Sequence, residues 1–540
     1  MLTLPLEPTD DRANPAFKDA NGCAQWLGQL QLTNLHLAHG VLRTQLDELN
    51  RYPMQGLERL HIMELLHETV ASIQADYAKK LIAKKLLLNE DEFTIFIAIV
   101  GLWQDMVTGY QRCLQAYVAG DKQLDSYAAL LCQRCLLYSG SQIFEHLRTG
   151  YEFDGKLWHQ LHVLYAFSEE HGLQLEEVAD GLNGNTSPIS CRAAYVRLLL
   201  ACYAYRAELT RNQLQLLDRW LTQWSSTIPV ERSYAMSKGD ALPLAVDLGS
   251  LQGLQPLQLV NPSDNLRYLA MVPLSKLLRV KMVLLQQGQP PEQLELGKGC
   301  NSADCAKLLD YLHQSWCEDR SGRMAERKGA LQQAQMCYGM ESCFAYIANK
   351  PFRQPAGEAS VDTLSRKQIA AFGRVLTDTD RNDLVVMGFV LETWRIEDES
   401  ILGARLLREE SAGIRLGPNQ LVAVRPTNAN AFMLGTVSWV KVTQARQLHA
   451  GVRYLPGLPQ AIAMKATGIN LSVSGKYVAA LLLPAVPALK TPASLIAPRD
   501  WFKPGRVVEI VQVDKVKLNV KMELSVEKGS DYERISFSQV

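Results

Sequence analysis

Apolar residues between positions 20 and 227 recur at three- and four-residue steps, the period of helices that bury one face. The stretch 154–172, DGKLWHQLHVLYAFSEEHG, shows the pattern in full. Asp154 stands where a side chain caps the free N–H groups of a first turn. Leu157, Trp158, Leu161, Leu164 and Tyr165 form the apolar stripe, and Gly172 supplies the left-handed residue that ends a helix. Stretches 57–81, 91–118, 124–147, 191–205 and 212–224 follow the same rule. Breaks as short as Ala119-Gly120-Asp121 favour antiparallel neighbours, hence a bundle or a curved stack of helix pairs. No strict repeat length runs through them.

Between 226 and 299 the period blurs, with one further helix expected at 273–285 and another at 304–317. From Gly329 the period shortens to that of strands. ALQQAQMCYGMESCFAYI reads as a strand with Gly339 as a kink, and 351–383 as a polar insert. LVVMGFVLETWRI, LGARLL, LVAVRP, FMLGTVSWVKV and AGVRYL follow as strands separated by turn material such as Gly417-Pro-Asn419 and Asn428-Ala-Asn430. Five or six such strands suit a closed barrel. YVAALLL, RVVEIVQV and KLNVKMEL add a second β unit beyond residue 457. The expected fold class is therefore multidomain α+β. An all-α bundle or solenoid-like stack with an irregular connecting region occupies 1–300. An antiparallel β-barrel with a lead-in helix occupies 301–456, and a further β subdomain 457–540.

The composition narrows the function. Lys plus Arg and Asp plus Glu both number 56 in 540 residues, so no global positive field draws nucleic acid to the chain. The N-terminus MLTLPLEPTDDRANP lacks the basic start and unbroken apolar run of a signal peptide, and the longest apolar runs are too short to span a bilayer. The expectation is a cytoplasmic protein without membrane insertion. The eleven cysteines then read as reduced, mostly buried thiols. Cys132 and Cys135 fall inside a helical pattern. Cys300, Cys305, Cys317, Cys337 and Cys343 with His313 match no compact zinc spacing, so packing is preferred to metal for both groups. Glu64 and His67 have the E-x-x-H step of a di-iron helix, with His61 one turn earlier, but the one other E-x-x-H, Glu58 and His61, falls in the same helical stretch, so no second helix supplies one to complete the site. No phosphate loop, H-E-x-x-H or G-x-S-x-G is present. The reading is of a non-enzymatic chain with no metal or cofactor.

One constellation does carry chemistry. Arg320-Ser-Gly-Arg323-Met-Ala-Glu-Arg327-Lys328 contains R-x-x-x-R, which occurs once in the chain, directly before the first barrel strand. Downstream, Asp398, Ser400 and Gly403 spell D-x-S-x-x-G between two short strand-like runs. An arginine loop followed by this turn resembles the PilZ domain, a small β-barrel that binds cyclic di-GMP. Gly435-Thr-Val-Ser-Trp439 and Ala450-Gly-Val-Arg-Tyr-Leu455 are similar to that family's later strands. The resemblance spans roughly 318–455, with the insert at 351–383 looping out of the barrel. A second match, Asn470-Leu-Ser472-Val-Ser-Gly475, follows the last expected strand of that barrel and has no R-x-x-x-R shortly before it.

The resemblance implies that Arg323 and Arg327 clamp the ligand while Asp398, Ser400 and Gly403 form the opposite wall. Arg320 and Arg405 are secondary candidates by charge and nearness. The chemistry fits, because guanidinium groups match both phosphates and the O6/N7 edge of guanine. The function implied is a cyclic di-GMP receptor that relays the signal through its helical domain to a protein partner. The competing reading is a helical interaction scaffold or chaperone-like adaptor whose barrel no longer binds ligand.

Overall fold

The computed structural model describes residues 2, 4–82, 84–179, 188–205, 209–236, 240–297, 300–318, 328–355, 384–385, 387–409, 413–467, 476–512 and 516–540. Packing divides the chain into two compact units, one of residues 1–84 and 88–322 and one of 85–87 and 323–540.

The first unit is helical: α1 (Ala20–Gln29), α2 (Leu35–Arg51), α3 (Gly56–Ala78), α4 (Glu90–Val118), α5 (Ala128–Thr149), α6 (Lys156–Glu170), α7 (Cys191–Ala204), α8 (Arg211–Trp224), α9 (Val272–Gln286) and α10 (Ser302–Cys317). Two small sheets interrupt them. One pairs β1 (Glu177–Val178) with β2 (Ile189–Ser190); the other orders β3 (Val230–Glu231), β6 (Leu266–Leu269), β4 (Leu244–Asp247) and β5 (Gln255–Pro256). From α2 to α8 consecutive helices pack as neighbours, as the short breaks predict, while α1 packs on α3 and α9 on α10. Local signals set the ends. At α4 the Asn89 side chain accepts from Glu92 N–H at 2.8 Å and Glu92 accepts from Asn89 N–H at 3.1 Å, a reciprocal cap. Asp154 accepts from Lys156 N–H at 2.9 Å ahead of α6, and Gly172 beyond it has φ +73°.

α4 is the one described helix long and apolar enough to cross a membrane. Its stripe from Phe96 to Leu114 is instead packed against α2, α3 and α5. Glu64 and His67 are engaged by side chains of this helical core, while His61 is exposed. Glu64 accepts from the Arg134 guanidinium at 2.9 and 3.0 Å and from the Tyr110 hydroxyl at 2.7 Å, while His67 bonds the Tyr138 hydroxyl at 2.5 Å. Cys132 and Cys135 are fully buried, and desolvation pushes the Cys132 thiol up to about 12. Cys300 and Cys305 depart from the expectation of reduced thiols. They form a disulfide across the start of α10, with Cα atoms 6.1 Å apart. Their positions, one before the cap Asn301 and one in the first turns, are those at which apolar residues staple a helix start. α10 packs on α9 and α7, so the helix assigned from sequence as the barrel's lead-in lies in the helical unit.

The second unit holds two closed antiparallel barrels. The first joins β7 (Lys328–Tyr338), β8 (Glu392–Ser400), β9 (Gly403–Arg408), β10 (Leu421–Pro426), β11 (Met433–Val442) and β12 (Leu448–Tyr454) in the order β10-β11-β12-β9-β8-β7. The second joins β13 (Gln460–Ala466), β14 (Val478–Leu483), β15 (Ser494–Pro498), β16 (Val507–Val511), β17 (Lys517–Lys528) and β18 (Tyr532–Gln539) in the order β13-β14-β15-β18-β17-β16. Leu86, from the stretch assigned to this unit, exchanges backbone bonds with Leu416 at 2.7 and 2.5 Å.

Two strand expectations are corrected. MESCFAYI is not strand but α11 (Gly339–Ala348), because Gly339 at φ +75° turns the chain out of β7. Met340, Cys343 and Phe344 then fall on one helical face, packed between β10 and β14 in a core that includes Leu421, Leu434, Leu481 and Ile496. Likewise the described residues of LVVMGFV form no strand; the strand begins at Glu392.

Candidate ligand-binding site

The D-x-S-x-x-G motif is the β8–β9 hairpin. Ser400 and Gly403 pair across the two-residue turn Ile401-Leu402, and the Ser400 hydroxyl accepts from Leu402 N–H and donates to Gly403 O, each at 3.3 Å. Directly opposed residues in antiparallel strands project to the same face, so the register builds rows across the sheet. One row runs Ser400, Gly403, Arg453, Thr436; the next runs Asp398, Arg405, Gly451, Trp439. The alternating positions Ala404, Leu406, Ala450 and Val452 are buried and fill the barrel interior, so the motif rows lie on the outer face.

Two glycines flatten that face. A Cβ on Gly403 would come within 2.2 Å of Val452 O, and one on Gly451 within 2.1 Å of the Trp439 indole nitrogen. Bulges adjust the rows. One lies between Ile396 and Asp398, at Glu397, and one between Val437 and Trp439. Glu397 sits 2.6 Å from Arg405 Nε and 3.3 Å from His449 Nδ1. Burial holds the His449 pKa below its ordinary value despite Glu397.

At the other end of the β8–β9 hairpin from the motif is a buried polar cluster. Glu392 bonds Arg408 Nη1 at 3.0 Å and the Ile414 amide at 2.5 Å, and accepts from the Tyr338 hydroxyl. The Trp394 indole donates to Tyr338 at 2.8 Å, and the Arg408 guanidinium lies 5.4 Å from the Trp394 ring centre. Burial and Glu392 together raise the Tyr338 pKa and keep it protonated.

The structure thus brings Asp398, Ser400, Gly403 and Arg405 onto one face. Arg320, Arg323 and Arg327 lie outside the described residues. The described chain resumes at Lys328, bonded to Arg327, and Lys328 and Gly329 pair with Glu399 and Asp398. The start of β7 is therefore in register with the motif. Sequence reasoning missed Trp439 and Arg453 as members of this face. Both were read only as strand residues, since their row is a matter of register and not of spacing.

Among the described residues no group of three or more His, Cys, Asp or Glu is placed to hold a metal ion. The helical unit contains a cleft of about 730 Å³ lined in part by Asp125, Glu170, His171 and Arg267, but the Arg267 guanidinium is already bound to Glu169 at 2.6–3.0 Å.

A helical domain followed by two closed barrels, the first with a D-x-S-x-x-G hairpin on its outer face, defines a multidomain protein with a PilZ-like barrel. Residues 21–233 match the model of the N-terminal domain of the cyclic-di-GMP receptor FimW, and 466–540 match that of the FimW C-terminal β-barrel domain. The chain is thus similar to FimW in its helical N-terminal region and in its C-terminal barrel. It is 23% identical to the cyclic-di-GMP receptor FimW of Pseudomonas aeruginosa, over 93% of this chain and 88% of the relative.

Proposed function

We propose that this protein is a non-enzymatic cytoplasmic receptor for cyclic di-GMP that passes the signal through its helical domain to a protein partner. The similarity to a cyclic-di-GMP receptor supports the reading. The observation that carries it is the register that sets Asp398, Ser400 and Gly403 on one face beside the first residues of β7. In this reading Arg323 and Arg327 hold phosphate and guanine edge as planar donor forks. Asp398 accepts from guanine N–H groups. The Ser400 hydroxyl, whose two present bonds are long, turns to the ligand at little cost. The bare Gly403 lets a base approach the sheet. Arg320 and Arg405 act as secondary contacts, Arg405 after exchanging Glu397 for the ligand.

Calorimetric titration with cyclic di-GMP tests this directly. Asp398→Ala combined with Ser400→Ala is expected to weaken binding by about tenfold or more, the ratio that ~1.4 kcal/mol gives. Asn470→Ala with Ser472→Ala, in the second copy of the motif, should leave affinity unchanged. The reverse pattern would move the site to the second barrel, and no binding by the wild type would leave the adaptor reading. The relay has its own check: bound ligand should slow amide exchange in α10 and leave α3 as it was. Unchanged exchange in α10 removes the relay but not the receptor.

A further inference from the structure

The second barrel reaches onto the motif face. Arg453 is the direct partner of Gly403 and shares its row with Ser400, and its guanidinium donates to Glu527 of β17 at 2.6 Å. Glu527 also accepts from the Tyr532 hydroxyl at 2.5 Å. The turn between them is fastened to the first barrel. Ser530 N–H donates to Asn419 O at 2.7 Å, and Asp531 accepts from Leu421 N–H at 2.9 Å. A Cβ on Gly529 would lie 2.8 Å from Asn419 O, so only glycine permits this seating. The end of the β17–β18 hairpin is thus held in place independently of the Arg453–Glu527 pair.

The pair itself is poised to exchange. The side chains are 47% and 23% exposed, so water and salt screen their attraction. A phosphodiester seated over Gly403 would offer the same guanidinium a second anion. Glu527 would keep the Tyr532 hydroxyl as its partner after release. We infer that Glu527 is an intramolecular competitor for the ligand, masking Arg453 as a further ligand-binding arginine and so letting the second barrel set the affinity of the first. This rests on the receptor reading above.

Three variants titrated with cyclic di-GMP at fixed salt test it. Arg453→Ala should weaken binding by about tenfold, as expected for losing a charge-assisted contact to phosphate. Glu527→Gln retains an acceptor for Tyr532 but not the charge. It should tighten binding by about two- to fivefold, the range for removing one exposed ion pair. In the double variant the Glu527→Gln gain should vanish, because its effect acts only through Arg453. Unchanged or weaker binding by Glu527→Gln, or an equal gain with and without Arg453, overturns the competitor. Binding by Arg453→Ala equal to wild type does the same and leaves the receptor standing. Absence of binding by the wild type overturns both.

Discussion

Arg323→Ala is expected to raise the dissociation constant for cyclic di-GMP by between about thirtyfold and several thousandfold. The range follows from the ~2–5 kcal/mol lost when one partner of a hydrogen-bonded charge pair is truncated and the other is left without its ion. Arg327→Ala should behave alike, because the four-residue step sends the two guanidiniums to separate parts of one ligand. The expectation rests on the R-x-x-x-R directly preceding β7, whose first residues pair with Glu399 and Asp398. Titration at one salt concentration measures it, with circular dichroism showing that the variants are folded. A folded Arg323→Ala protein of wild-type affinity would remove the arginine clamp.

Glu392→Ala should have the largest effect on stability. The Arg408 side chain is 4% exposed and is held by the Glu392 carboxylate, which also accepts from the Ile414 amide and the Tyr338 hydroxyl. Arg408 Nε and Nη2 are buried without hydrogen-bond partners, so nothing nearby replaces the lost anion. Removing one member of such a pair leaves an uncompensated buried charge and costs about 3–5 kcal/mol. The amides of β8 and β9, which carry the motif, should then exchange about a hundredfold faster or more. Exchange accelerated less than about fivefold would mean that Arg408 is stabilised chiefly by the Trp394 ring and the Ile414 carbonyl. Ligand affinity should fall together with this stability, since Glu392 and Ser400 lie on the same strand.

What the sequence determined by itself is whatever local periodicity and capping decide. The stripe of α6 with Asp154 before it, the reciprocal cap of α4 at Asn89 and Glu92, and the change from helix to strand period near residue 329 are legible because each depends on neighbours a few residues away. The D-x-S-x-x-G hairpin was legible for the same reason: its serine and glycine pair across two residues. The tertiary structure decided the rest. α11 was misread because an apolar run between two barrels is buried on the helical period and still mimics a strand. The closure of the second barrel depends on β13 pairing with β16, and the disulfide on two cysteines meeting at a helix start. Arg453 joins the motif face only because β12 pairs with β9 in one register, and Glu527 reaches it only because a turn over one hundred residues from Asn419 docks there. Register and docking are set by burial of whole faces, a sum over many distant residues that no local spacing records.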